Sequence, residues 1–147
     1  RKLMDLLKTF NNLFDLSYLN EKPKEPERSI EQELEGQCRS IAEEITDGLK
    51  NCDPEIFSRW HDEDQPEDFQ PHAWDYIEDM LDINYVVSSD CEYLGAQITV
   101  AWGGPNIYIH TRSCTVKGYW GSDQAQWGYV DNIDLDDACE ELYNCGR

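Results

Sequence analysis

A chain of 147 residues with 39% hydrophobic and 12% aromatic content can bury a core, which excludes a globally disordered protein. Thirty-one acids against twelve bases leave a net charge of −19. Such a chain repels nucleic acid and anionic membranes and is drawn to basic surfaces, so neither is expected as a direct partner.

In chain order, Leu3, Leu6, Leu7, Phe10, Leu13 and Phe14 recur at three- and four-residue steps, which predicts a helix to about Leu16. It serves either to pack on this domain or to insert into a partner or a second copy, a route to homo-oligomers. Asn20 to Arg28, with Pro23 and Pro26, reads as a tether, so residues 1–28 form a helix-and-tether unit ahead of one acidic domain at 29–147. Ser29 and Gln32 form a capping-box pattern before Ile30, Leu34, Cys38, Ile41, Ile45 and Leu49, predicting a helix of about six turns. Gly36 and Gly48 are weak points in it. Asp53-Pro54 opens a short helical turn carrying Ile56, Phe57 and Trp60, and an acidic loop runs from His61 to Asp68. Pro71 suits the first turn of a further helix with Trp74, Ile77, Met80 and Leu81 on one side.

Ile83, Tyr85 and Val87 alternate as a first strand, and Ser88-Ser89-Asp90 turns the chain. Leu94, Ala96, Ile98, Val100 and Trp102 alternate with Tyr93, Gln97, Thr99 and Ala101, the period of a strand with one buried face. Gly103-Gly104-Pro105-Asn106 breaks the run as a turn. Ile107, Ile109 and Thr111 resume the alternation, Val116, Gly118 and Trp120 continue it, and Trp127, Tyr129 and Val130 offer a short last strand. Asp131 or Asn132 can cap a final helix with Leu135, Ala138, Leu142 and Cys145 on its apolar side and Gly146 as its stop. The expected fold class is α+β: N-terminal helices, a three- to four-stranded antiparallel sheet and a C-terminal helix.

Six cysteines are scattered at 38, 52, 91, 114, 139 and 145, without a CxxC pair or zinc-ligand spacing. With no signal peptide and no apolar span of about twenty residues, they read as reduced, mostly buried thiols of a cytoplasmic protein. His61, Asp62, Glu63, Asp64 and His72 lack the glycine and terminal glutamate of a calcium loop. No metal or other cofactor is therefore expected. Cys114 near His110 is the best nucleophile–base pair, and it reads more simply as two residues of one strand. No catalytic residue is assigned, and the chain is not expected to be an enzyme.

The charge is unevenly placed. Residues 29–92 hold nineteen acids and three bases, against five and six in residues 1–28 and seven and three in the remainder. Acids in the first turn of a helix complement its dipole, which accounts for Glu31 and Glu33 but not for Glu43, Glu44 and Asp47. This concentration is either a solvated face or a surface imitating duplex DNA, which carries one charge per about 1.7 Å of axis.

The run ITVAWGGPNIYIHTRSCTVKGYWGSD and the ending IDLDDACEELYNC, in the last third of the chain, resemble small acidic proteins of phages and mobile elements of gut Firmicutes. The marks are Trp102-Gly103-Gly104-Pro105-Asn106 and Gly118-Tyr119-Trp120-Gly121. With the charge, this resembles the setting of anti-defence proteins, including anti-CRISPR inhibitors of Cas9. The expectation is a non-enzymatic inhibitor that mimics DNA at the basic surface of a CRISPR effector or other defence nuclease, in the cytoplasm of a bacterial host. The alternative is an immunity protein or antitoxin against a basic nuclease toxin. The expected contacts are Glu43, Glu44, Asp47, Asp62, Glu63, Asp64, Glu67, Asp68, Asp75, Glu78, Asp79 and Asp82. Tyr108, His110 and Tyr119 form a secondary surface, or pack under a helix.

Overall fold

The computed structural model describes residues 28–52 and 68–146. The expected first helix and most of its tether, the turn around Ile56 and the acidic loop up to Glu67 lie outside the described residues.

Ser29 starts helix α1, Ile30–Thr46, through the predicted capping box. Its hydroxyl accepts the Gln32 N–H at 3.2 Å, and the Gln32 side chain accepts the Ser29 N–H at 3.2 Å. The helix is shorter than the six turns expected. Gly48 takes φ +70° and Leu49 φ +60°, so the chain turns out of the helix after Thr46. Leu49 still reaches the core, fully buried, from this turn. Gly48 is thus a helix stop and not a weak interior position. Ile30, at the other end of the apolar series, is 49% exposed.

Helix α2, Ala73–Glu78, is a single short element with His72 at its N-cap. It buries Ala73, Asp75, Tyr76 and Ile77. Trp74 and Leu81, expected on its buried side, are exposed.

The sheet has five antiparallel strands in sequence order: β1 Asp82–Val87, β2 Tyr93–Ala101, β3 Asn106–His110, β4 Thr115–Trp120 and β5 Asp123–Gly128. The sheet exceeds the three to four strands expected. The last strand lies earlier than predicted because Gln124 and Gln126 point out while Asp123, Ala125 and Trp127 turn in, and so polar a strand shows no apolar alternation. Gly103, at φ +95°, and Gly104, at φ +125°, form the expected turn between β2 and β3, where the Asn106 side chain accepts the Gly103 N–H at 2.9 Å. A register shift between Thr99 and Ala101 leaves Val100 half-buried, and Leu94 and Trp102 at the ends of the run are exposed.

One face of the sheet carries the core. Ala96, Ile98, Ile107, Ile109 and Val116 meet Leu34, Cys38, Ala42 and Ile45 of α1, and Leu135, Ala138 and Cys139 of helix α3, Leu135–Cys145. α1 lies over β4 and β5, and α3 over β2. The predicted Asp131 cap is present in a longer-range form. Its carboxylate accepts the N–H groups of Leu135 at 2.9 Å and Asp136 at 3.1 Å, satisfying donors at the start of α3. The Tyr93 hydroxyl donates to the Asp136 carboxylate at 2.7 Å, tying α3 to β2. All six cysteines are free, but only Cys38 and Cys139 are buried, fewer than expected.

Gly118 of β4 faces α1 at the closest approach of helix and sheet. A Cβ there would fall 2.7 Å from both Cys38 Sγ and Leu34 Cδ1. Gly36, exposed on α1, has nothing within 4 Å of its Cβ position. Gly118→Ala is expected to lower unfolding free energy by about 1–3 kcal/mol through overpacking. Gly36→Ala is expected to raise it by about 0.5–1 kcal/mol through helix propensity. Denaturant unfolding of both variants checks this, and a gain in stability from Gly118→Ala would contradict the packing of α1.

Candidate protein-docking surface

The 3.6-residue repeat that buries Leu34, Cys38, Ala42 and Ile45 turns another row of α1 to solvent. Glu31, Glu35, Arg39, Glu43 and Asp47 recur at four-residue steps and are all exposed. They form a ridge of about 24 Å with a side chain about every 6 Å. One strand of duplex DNA places a phosphate about every 3.4 Å. Four carboxylates, one of them paired with Arg39, fall well below that density. The ridge suits discrete contacts better than a continuous imitation of a phosphate backbone.

Arg39 is the ridge's internal cation. Its Nε donates to Glu43 Oε1 at 2.8 Å, and its guanidinium lies 5.3 Å from the ring centroid of Trp127 on β5. Beyond this pair, the last turn of α1 has no basic residue, while Glu43, Glu44 and Asp47 lie at the helix C-terminus. Carboxylates there oppose the partial negative charge of the terminal carbonyls, at a cost of about 0.3–1 kcal/mol each.

The three acids differ in environment. Glu43 and Asp47 are exposed, whereas Glu44 is half-buried, and burial pushes its carboxyl pKa up. Glu44 lies within electrostatic reach of Tyr76 on α2 and of Cys52, whose thiol is pushed up to about 11 by burial and then by Glu44. It therefore faces inward more than the helical repeat alone suggested.

Between Ala42–Asp47 of α1 and Trp127–Val130 at the end of β5 lies a cleft of about 360 Å³. Its frame is fixed by Thr46. The Thr46 hydroxyl accepts the Val130 N–H at 3.1 Å, and its carbonyl accepts from the Asn132 side chain at 2.6 Å. Trp127 and Val130 supply apolar surface, and Glu43 and Asp47 supply charge. Trp127 and Val130 were not among the expected contacts. No local sequence signal could have found them, because only tertiary packing brings the end of β5 to this row of α1.

Of the other expected contacts, Asp68, Glu78, Asp79 and Asp82 are exposed, on or beside α2 and at the start of β1. Asp82 accepts from the Asn84 side chain at 3.2 Å. Asp75 is corrected: it is only 5% exposed, and its carboxylate accepts the His72 N–H at 2.9 Å as part of the helix start. An acid three residues into a helix serves the cap before it serves a partner. Asp62, Glu63, Asp64 and Glu67 lie outside the described residues.

Tyr108, His110 and Tyr119 are half-buried on the sheet face opposite the core. Tyr108 is the hub, with ring centroids 6.5 Å from His110 and 6.1 Å from Tyr119. Burial and then the nearby Lys117 charge lower the His110 pKa. The three described helices pack on the other face, so none of them covers this cluster. Among the described residues no group of three or more His, Cys, Asp or Glu side chains is placed to hold a metal ion. No described helix is long and apolar enough to cross a membrane. The Cys114 thiol points its weak donor at the Thr111 carbonyl, 3.5 Å away, and burial raises its pKa. That is the reverse of what an activated nucleophile needs.

The raised Glu44 pKa has a pH consequence. A carboxyl easier to protonate in the folded than in the unfolded chain makes the native state the greater proton binder, so stability falls as pH rises through the folded value. Glu44→Gln removes the charge being buried. The variant is expected to melt higher than wild type at neutral pH, with the gain shrinking as pH falls towards 4.5, the ordinary carboxyl value. Thermal unfolding over that range checks the sign, and a variant less stable at neutral pH would show that Glu44 makes a favourable charged contact. No protein-family model, curated protein or solved structure matches the chain.

Proposed function

We propose that this protein is a non-enzymatic inhibitor that occupies the basic nucleic-acid-binding surface of a DNA-handling defence nuclease, an anti-CRISPR role with a Cas9-type effector as the foremost target. The observation that carries the reading is the C-terminal end of α1. Glu43 and Asp47 stand exposed there beside a cleft, at the end of a helix whose dipole disfavours them, Glu43 with Arg39 as its one cation and Asp47 with no base in the last turn. A basic partner relieves that repulsion. Effectors of this type read the PAM through arginines and hold the heteroduplex in a positively charged channel, so carboxylates that pair with those arginines compete with DNA.

The charge density of the ridge shapes the mechanism. Inhibition depends on several separate carboxylate–arginine contacts, with exposed carboxylates near α2 and at Asp82 extending the acidic surface. Long-range attraction accelerates the encounter and is screened by salt over about 10 Å at 0.1 M.

The test is binding to a panel of guide-loaded Cas9-type effectors across rising salt, with and without target DNA. The expected result is capture by at least one effector, competition by its DNA, and affinity that falls steeply with salt. Glu43→Gln combined with Asp47→Asn is expected to weaken binding about tenfold while leaving the fold intact, the effect of about 1.4 kcal/mol. Capture that ignores both DNA and salt would replace this reading with recognition by shape.

A further inference from the structure

The cleft between α1 and the end of β5 combines features that belong to different ligands when taken separately. Its lining combines the apolar side chains of Trp127 and Val130 with the carboxylates of Glu43 and Asp47. Val130 is 59% exposed although its N–H is fixed to Thr46, so a rigid apolar surface is left open to water. An apolar side chain would cover Val130 and dehydrate Asp47 without compensation. A small cation would satisfy the carboxylates and leave the apolar wall wet. A side chain with an aliphatic stem and a cationic head satisfies both.

Resting on the inhibitor reading above, we propose that this cleft is a receptor for a single arginine side chain of the basic partner. The stem lies along Val130, and the guanidinium reaches Asp47, beside the Glu43 carboxylate that Arg39 engages. Arginine is favoured over lysine because its head is planar, less strongly hydrated and able to pair with carboxylate oxygens through parallel N–H groups. The cleft already displays this chemistry with the protein's own Arg39, whose guanidinium bonds Glu43 and lies 5.3 Å from the ring centroid of Trp127, which leaves Asp47 as the carboxylate for an incoming arginine. The partial negative charge at the C-terminus of α1 adds to the attraction. The Thr46 bonds to Val130 and Asn132 hold the two walls in place, so the cleft does not have to form as the ligand enters.

The probe is a short glycine-serine peptide carrying arginine, compared with the same peptide carrying citrulline, which keeps the shape without the charge, or lysine. Each is titrated into the isotope-labelled full chain at low salt. The readouts are the Trp127 indole N–H, assigned from a Trp127→Phe spectrum, and the Val130 and Asp47 amides. The arginine peptide is expected to shift these signals saturably, the lysine peptide more weakly, and the citrulline peptide not at all. Asp47→Asn should weaken the arginine peptide about fivefold, on the scale of one exposed charge pair. Val130→Ser, which keeps the charge, should weaken it too, and a circular dichroism spectrum of each variant checks folding. Equal shifts from arginine and citrulline, or from arginine and lysine, overturn the arginine receptor. Arginine-dependent shifts only at other acids overturn the cleft and leave the acidic-surface reading standing. No binding of the arginine peptide anywhere overturns both.

Discussion

The close seating of α1 on β4 governs the rest of the molecule. At Gly118 the sheet has no side chain, and Leu34 and Cys38 of the helix occupy the space. That contact sets the height of α1 above the sheet and lets Ala42 and Ile45 continue the seam. Each fully buried leucine or isoleucine contributes about 1.5–3 kcal/mol. Leu34 and Ile45 together therefore outweigh the cost of about 1 kcal/mol for Gly36 in the helix. The same seating fixes which row of α1 faces solvent and where its last turn meets the end of β5. The cleft follows from the packing, and the acids follow from the row left outside.

The two ends of the chain's core are secured by different means. α1 is held by apolar burial and by Thr46, whose hydroxyl and carbonyl hold Val130 and Asn132. α3 depends more on polar anchors, with Asp131 on its first N–H groups and Tyr93 bonded to Asp136. Tyr143 extends this anchoring, donating to the Cys91 carbonyl at 2.6 Å and packing its ring 5.2 Å from that of Tyr85. Acids near α3 therefore have structural work at its N-terminus, where the dipole favours them. At the C-terminus of α1 only Glu43 has a local partner, Arg39, and Asp47 meets the unfavourable end of the dipole with no base in the last turn. A charge at the favourable end of a helix explains itself, and a charge at the unfavourable end points outside the molecule.

Electrostatic attraction and shape also divide between regions. The acidic ridge and the exposed carboxylates near α2 create a field that acts at a distance and is blind to detail. In the proposed role the cleft acts only at contact, where its apolar wall and carboxylates select one kind of cationic side chain. A surface with both can be captured quickly by a basic protein and then held in one register.

By itself the sequence determined whatever depends on neighbours within a turn or two. The Ser29–Gln32 box, the α1 stripe, the glycine turn after β2 and the strand alternation around Ile98 and Ile109 are short-range patterns, legible because periodicity reports one buried face. The uneven charge was equally legible, since it needs only counting. Contacts between distant residues decided the rest. β5 is a strand because β4 offers a free edge, although its own glutamines show little preference for one. The Asp75 cap is a local contact that the helical repeat did not single out, whereas Glu44 came within reach of Tyr76 only through the tertiary placement of α2. The cleft joins residue 47 to residue 130, and no local pattern links positions so far apart. Tertiary packing alone placed them together, because burying the α1 stripe left its C-terminal turn beside the exit of β5.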